Sequence, residues 1–116
     1  MTMTPLDVAD FERLVGDALD RLPEALGALL DNVVILVEDE HPEEELYGLY
    51  EGIPLTEREY YGDLSLPDRI TLYRLPLCRD CGDLEELTEE VLITVVHEVA
   101  HHFGIDDDRL HEFGWS

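Results

Sequence analysis

His97-Glu98-Val99-Ala100-His101-His102-Phe103-Gly104, followed by Asp107, is the stretch on which the reading of this chain turns. Positions i and i+4 of a helix lie about 40° apart around its axis. The His97 and His101 imidazoles therefore meet on one face and can converge on one ion at the roughly 2.0–2.1 Å that zinc requires. Glu98, about 100° from His97, is poorly placed to ligate the same ion. It can face a water that the ion makes acidic and take its proton as general base. Two imidazoles leave a tetrahedral catalytic ion in need of a third protein ligand, with the last position kept for water. Gly104 allows a left-handed turn just past the helix, which returns the chain toward the metal within a few residues. Asp107 is then the expected third ligand. Asp106 and Asp108 compete with it, although helix capping explains one of them more simply.

The residues around the motif give a second test. Glu90, Thr94, His97, Glu98 and His101 fall inside one stripe about 100° wide, while Leu92, Val95, Val96, Val99 and Phe103 cover the opposite face. A histidine pair arising by accident needs no polar stripe aligned with it. His102 is about 140° from His97 around the wheel and is expected to pack or to support the ligands from outside.

The pattern His97-Glu98-x-x-His101-x-x-Gly104-x-x-Asp107 resembles the signature of the small zincin-like metallopeptidases, the mini-zincins. The likeness extends upstream through Leu49-Tyr50-Glu51-Gly52-Ile53-Pro54-Leu55-Thr56-Glu57-Arg58 and Leu66-Pro67-Asp68-Arg69-Ile70-Thr71-Leu72-Tyr73. Downstream it reaches Asp108-Arg109-Leu110-His111-Glu112, so it spans nearly the whole chain. The resemblance implies an α+β, minimal zincin-like fold with helices packed on a small sheet of about three strands and an active-site helix behind an edge strand. It also implies peptidase activity. Zincins of the glutamate class take their third ligand from a downstream helix, which makes Glu112, expected with His111 on a last short helix, the main rival to Asp107.

Composition narrows the function further. A chain of 116 residues is one domain's worth, read here as residues 1–116. It is too short for a separate substrate-binding lobe, so an open, shallow groove with little sequence selectivity is expected. The formal net charge is -22, from 29 acidic side chains against seven arginines and no lysine. Such a surface repels phosphate backbones and anionic membranes, which argues against nucleic-acid or membrane partners, and it attracts basic or unfolded polypeptides. Without lysine there is no P-loop lysine and no Schiff base. With only Ser65 and Ser116 there is no GxSxG nucleophile elbow. No positive n-region followed by an apolar h-region opens the chain, and no apolar run approaches the ~20 residues that span a bilayer. A cytoplasmic location is expected.

Along the chain, Thr4-Pro5-Leu6-Asp7 reads as a helix start, and Leu6, Phe11, Leu14, Val15, Ala18 and Leu22 follow at helical spacing. Pro23 opens a second helix expected to run through Leu30. Val33 to Val37 reads as a buried strand, with further strands at Leu46 to Tyr50 and Arg69 to Tyr73. As the last strand before the motif helix, Arg69 to Tyr73 is the expected edge for pairing with an extended substrate. Glu38-Asp39-Glu40-His41-Pro42-Glu43-Glu44-Glu45 lacks a calcium loop's spacing and reads as a solvated acidic loop. The long stretch from Glu51 to Asp68, carrying Tyr60 and Tyr61, is expected to flank the cleft. Cys78-Arg79-Asp80-Cys81 has no second CxxC and no thioredoxin-like setting, and reads as a pair of reduced loop thiols.

The combined reading is a zinc metallopeptidase, with His97, His101 and Asp107 holding the metal and Glu98 as base. Its expected substrate is a peptide or unfolded protein, preferably basic. A catalytically idle zinc scaffold that binds a basic protein partner is the alternative, and a non-peptide amide is a third possible substrate class. Tyr73, Tyr60, Tyr61 and Arg74 are equal candidates for an oxyanion partner, each with a structural role as the simpler explanation.

Overall fold

A side chain decides where the first helix begins. In the computed structural model, which describes residues 4–52 and 67–115, α1 spans Val8–Leu19 and the Asp7 carboxylate accepts from the Asp10 N–H at 2.8 Å. The helix thus starts a turn later than the Thr4-Pro5 signal suggested, because Asp7 supplies the acceptor that the free first-turn amides need. Phe11, Val15 and Ala18 follow on its buried face. Pro23 caps the short α2 (Glu24–Ala28), which ends before Leu30 in tight turns from Leu29 N–H to Leu26 O and Leu30 N–H to Gly27 O.

Three strands form one sheet in the order β1-β3-β2, where β1 is Val33–Glu38, β2 is Gly48–Glu51 and β3 is Asp68–Tyr73. β1 runs parallel to β3 with Ile35 opposite Ile70, and β2 runs antiparallel with Tyr50 opposite Ile70. The expected edge strand is therefore the central one. Its burial accords with that place: Ile70, Thr71, Leu72 and Tyr73 are all buried, as in a strand covered on both faces. The edges are β1 and β2. β1 is not continuously buried as expected but alternates, with Val34 and Leu36 each 40% exposed.

β3 leads directly into α3 (Arg74–Asp80), a helix that sequence reading did not foresee, since Pro76 stands inside it. Proline is tolerated there because first-turn amides have no intrahelical acceptor to lose. Arg74 at its start is structural. Its guanidinium donates to the Leu6 carbonyl at 2.6 Å and pairs with Asp39 at 2.8 Å, joining the N-terminal segment to the end of β1.

The long α4 spans Leu84–Phe103, and α5 spans Asp107–Glu112. Asp83 caps α4 by accepting from Glu86 N–H at 2.8 Å, while Glu86 accepts from Gly82 N–H at 3.1 Å. The core lies between the helices and one sheet face, where Phe11, Ile70, Leu72, Leu77, Leu87 and Val91 are all 0% exposed. A smaller cluster of Leu26, Val96, Ala100 and Leu110 docks α2 and α5 onto the far side of α4. Phe103, expected on the buried face, is 47% exposed because it lies in the last turn of α4.

α4 packs very closely on β2, and Gly48 makes that possible. A Cβ at Gly48 would lie 2.7 Å from Thr94 Cγ2 and 3.3 Å from both Leu72 Cδ2 and the Thr71 carbonyl oxygen. Gly48→Ala is therefore expected to destabilise the chain by about 1–3 kcal/mol. In urea denaturation, adding Thr94→Ser, which removes the nearest methyl, should restore part of that loss. An unchanged midpoint in Gly48→Ala would show that the approach is not tight.

Candidate active site

The C-terminal half of α4 carries the candidate residues of the motif. His97 and His101 are exposed and one turn apart on the same face, while Glu98 is half-buried. The Glu98 carboxylate accepts from the Tyr50 backbone N–H through Oε1 at 2.9 Å, and its Oε2 makes no hydrogen bond among the described residues. The outer edge of β2 thus meets the motif helix at Glu98. The alternation of the strand confirms this orientation. Tyr47 O accepts from Tyr73 N–H at 2.9 Å, so odd positions face β3 and the backbone groups of Gly48 and Tyr50 face outward.

Past the histidines the helix stops as its glycine requires. Gly104 is left-handed at φ 66°, Gly104 N–H reaches His101 O at 3.4 Å, and Ile105 N–H reaches Ala100 O at 2.8 Å. These two bonds close the helix end and reverse the chain. Asp106 then caps α5, accepting from Arg109 N–H at 2.9 Å, the role expected for one of the competing aspartates. Asp107 opens α5 and Glu112 closes it, both exposed.

Two imidazoles on one exposed face suit the nitrogen positions of a zinc ion. The full set is not assembled: among the described residues no group of three or more His, Cys, Asp or Glu side chains could hold a metal ion. Neither Asp107 nor Glu112 is brought into one cluster with His97 and His101.

His102 faces away from this pair and docks on the sheet. Its ring stacks on Tyr50 with centroids 3.9 Å apart and planes 19° from parallel, and Phe103 meets both rings edge-on. The Tyr50 hydroxyl donates to Asp68 Oδ2 at 2.8 Å, and His102 Nε2 lies 3.9 Å from the same oxygen. Tyr50 and Asp68 thus hold the end of α4 against β2 and the start of β3. Sequence reading missed both, since only their shared partner in space relates them.

A groove of about 420 Å³ runs between β2 and α4 beside Glu98, lined by Leu46, Tyr47, Gly48, Ile93, Thr94 and His97, with Glu45 and Glu90 adding charge. At its edge the Tyr47 hydroxyl donates to Asp80, which also pairs with Arg79 at 3.3 Å. That hydrogen bond, then burial, pushes the Tyr47 phenol up to about 12, and the same bond holds the Asp80 carboxyl below its usual range. Tyr73, in the central strand, is buried, and Tyr60 and Tyr61 lie outside the described residues, as does most of the stretch expected to flank the cleft. Cys78 and Cys81 are free thiols, as expected; Cys78 lies within α3 rather than a loop, Cys81 in the connection just past it, and both are buried in the core. Burial, followed by Glu86 and Glu90, pushes the Cys81 thiol up to about 11, which makes it a poor nucleophile.

Comparison with known proteins bears on the family and the fold. A family model described as zincin-like metallopeptidase matches residues 30–115. A solved structure, a conserved hypothetical protein from Thermo thermophilus, shares the fold with a TM-score of 0.51 at 22% identity, over 83% of this chain and 92% of that one. No curated protein matches the chain. No helix among the described residues is long and apolar enough to cross a membrane.

The Tyr47–Asp80 bond has a pH signature. A phenol whose pKa is raised on folding adds stability below its ordinary value of 10.0, and that stability is lost as pH rises toward about 12. Absorbance titration of wild type minus Tyr47→Phe is expected to show a phenol ionising near pH 12, and Asp80→Asn should move that step toward 10. A Tyr47 step already at its ordinary position in wild type would contradict the bond.

Proposed function

The chain belongs to the zincin-like metallopeptidase family, and from that premise we propose that it is a zinc-dependent peptidase in which His97, His101 and Asp107 hold the metal and Glu98 is the general base. Bound zinc would supply Lewis acidity, making water acidic near neutral pH and polarising a carbonyl. The remaining work belongs to this chain's own residues. The observation that carries the reading is the state of Glu98: Oε1 is held by the Tyr50 amide, while Oε2 has no hydrogen-bond partner among the described residues. A carboxylate fixed at one oxygen can take a water's proton at the other and pass it to the leaving amine.

Substrate pairing, expected on β3, moves to β2, the edge beside α4. An extended peptide would lie along the groove by the outward-facing backbone of Gly48. The net charge of -22 favours basic or unfolded chains as substrates. Asp107 remains the choice for third ligand because it stands three residues past the Gly104 reversal and, unlike Asp106, is not the cap of α5. Free, buried thiols suit a reducing cytoplasm. In the competing reading, an idle zinc scaffold for a basic partner, Glu98 only holds β2 against α4 and its second oxygen has no task.

Purified wild type should carry about one zinc per chain, and His97→Ala or His101→Ala should abolish it. Asp107→Ala should weaken zinc binding strongly, while Asp108→Ala and Glu112→Ala leave it mostly intact. Asp106→Ala should instead cost about 1 kcal/mol through the lost cap. Glu98→Gln should keep zinc and lose at least ~100-fold in hydrolysis of unfolded basic peptides. Zinc loss on Glu112→Ala rather than Asp107→Ala would overturn the ligand assignment, and equal cleavage by Glu98→Gln would overturn the base.

A further inference from the structure

Two grooves of similar volume flank α4, and they differ in how far their acids are matched. The one between α1 and the start of α4, about 420 Å³, has two of its three acids matched by the chain's own arginines: Arg13 is 3.3 Å from Asp10 and Arg21 is 3.5 Å from Glu85, while Asp17 has no arginine partner among the described residues. In the groove between β2 and α4, Glu45 has Arg79 at 3.7 Å, but Glu90 and Glu98 have no arginine partner among the described residues. Asp80, nearby, is already bonded to Tyr47 and paired with Arg79. Glu90 is half-buried on the helix wall, and Leu46, Tyr47 and Ile93 supply apolar surface beside it.

We infer that this groove recognises one cationic side chain of the substrate, arginine or lysine, whose charge meets Glu90 while its aliphatic stem lies on Leu46, Tyr47 and Ile93. Long basic side chains bury their methylenes on apolar surface and keep the charge at the end, which is the combination this wall offers. A half-buried carboxylate is also less screened than one in open solvent. The general attraction of an acidic surface thereby becomes a preference at one position of the peptide. Glu90 and His97 are two helical turns apart, about 10.5 Å along the axis. An extended chain advances about 3.3 Å per residue, so the recognised side chain lies about three residues from the bond presented at His97.

The inference rests on the peptidase reading for its substrate, and it can be tested without turnover. Short peptides carrying a single arginine at successive positions would be titrated calorimetrically into zinc-supplemented, full-length Glu98→Gln protein at about 0.15 M salt, where charges more than ~8 Å apart are largely screened. Each is compared with its citrulline counterpart, which keeps the shape and loses the charge. At one position arginine should bind about tenfold more tightly. Adding Glu90→Gln should bring that ratio close to one, whereas Glu89→Gln, an equal charge change at an exposed neighbouring site, should leave it. Circular dichroism of each variant confirms the helix. An equal loss in both variants, or no arginine preference at any position, would overturn the assignment. If the preference holds but wild type cleaves nothing, recognition stands and the peptidase reading falls. If wild type cleaves while binding arginine and citrulline equally, the peptidase reading stands and the groove assignment falls.

Discussion

The hydrogen bond from the Tyr50 amide to the Glu98 carboxylate is the contact on which the rest of the arrangement depends. It fixes an edge strand against the helix that carries His97 and His101, and it leaves one oxygen of Glu98 without a hydrogen bond among the described residues. The bond requires close packing, and close packing requires Gly48, where even a methyl group would strike Thr94. Tyr50 contributes twice: its backbone holds Glu98, and its ring and hydroxyl hold His102 and Asp68 at the end of the same helix. Two attachment points one helical turn apart resist rotation of α4 about its axis. His97 therefore keeps lining the groove, with His101 one turn farther along the same helix.

Much of this was legible along the chain because it is local. The histidine spacing and the left-handed Gly104 stop of α4 each depend on a few neighbouring residues, and the structure has them as expected. One of the three consecutive aspartates was expected to cap α5, and Asp106 does so. The existence of three strands was also legible, since short β-branched runs leave few other choices.

Their order was not, because pairing is decided between distant segments. β3 precedes the motif helix in sequence yet lies in the middle of the sheet, buried on both faces, while the shorter β2 takes the edge. Periodicity cannot report that Tyr50, Asp68 and His102 share a site, or that Glu90 lines the same groove as Leu46. α3 was hidden for a different reason: Pro76 reads as a helix breaker unless the helix is known to begin just before it. The cysteines show the same limit, since spacing alone placed them in a loop and only packing places them in the core.

The central claim is that the face of α4 bearing His97 and His101 is a metal site with two imidazoles and a carboxylate as its protein ligands. X-ray absorption at the zinc edge of the full-length, zinc-loaded protein tests it most directly. The expected result is a four-coordinate ion bound only through nitrogen and oxygen, at about 2.0–2.2 Å, with the multiple-scattering pattern of two imidazoles. Sulfur at about 2.3 Å would place the metal at Cys78 and Cys81 and contradict the claim.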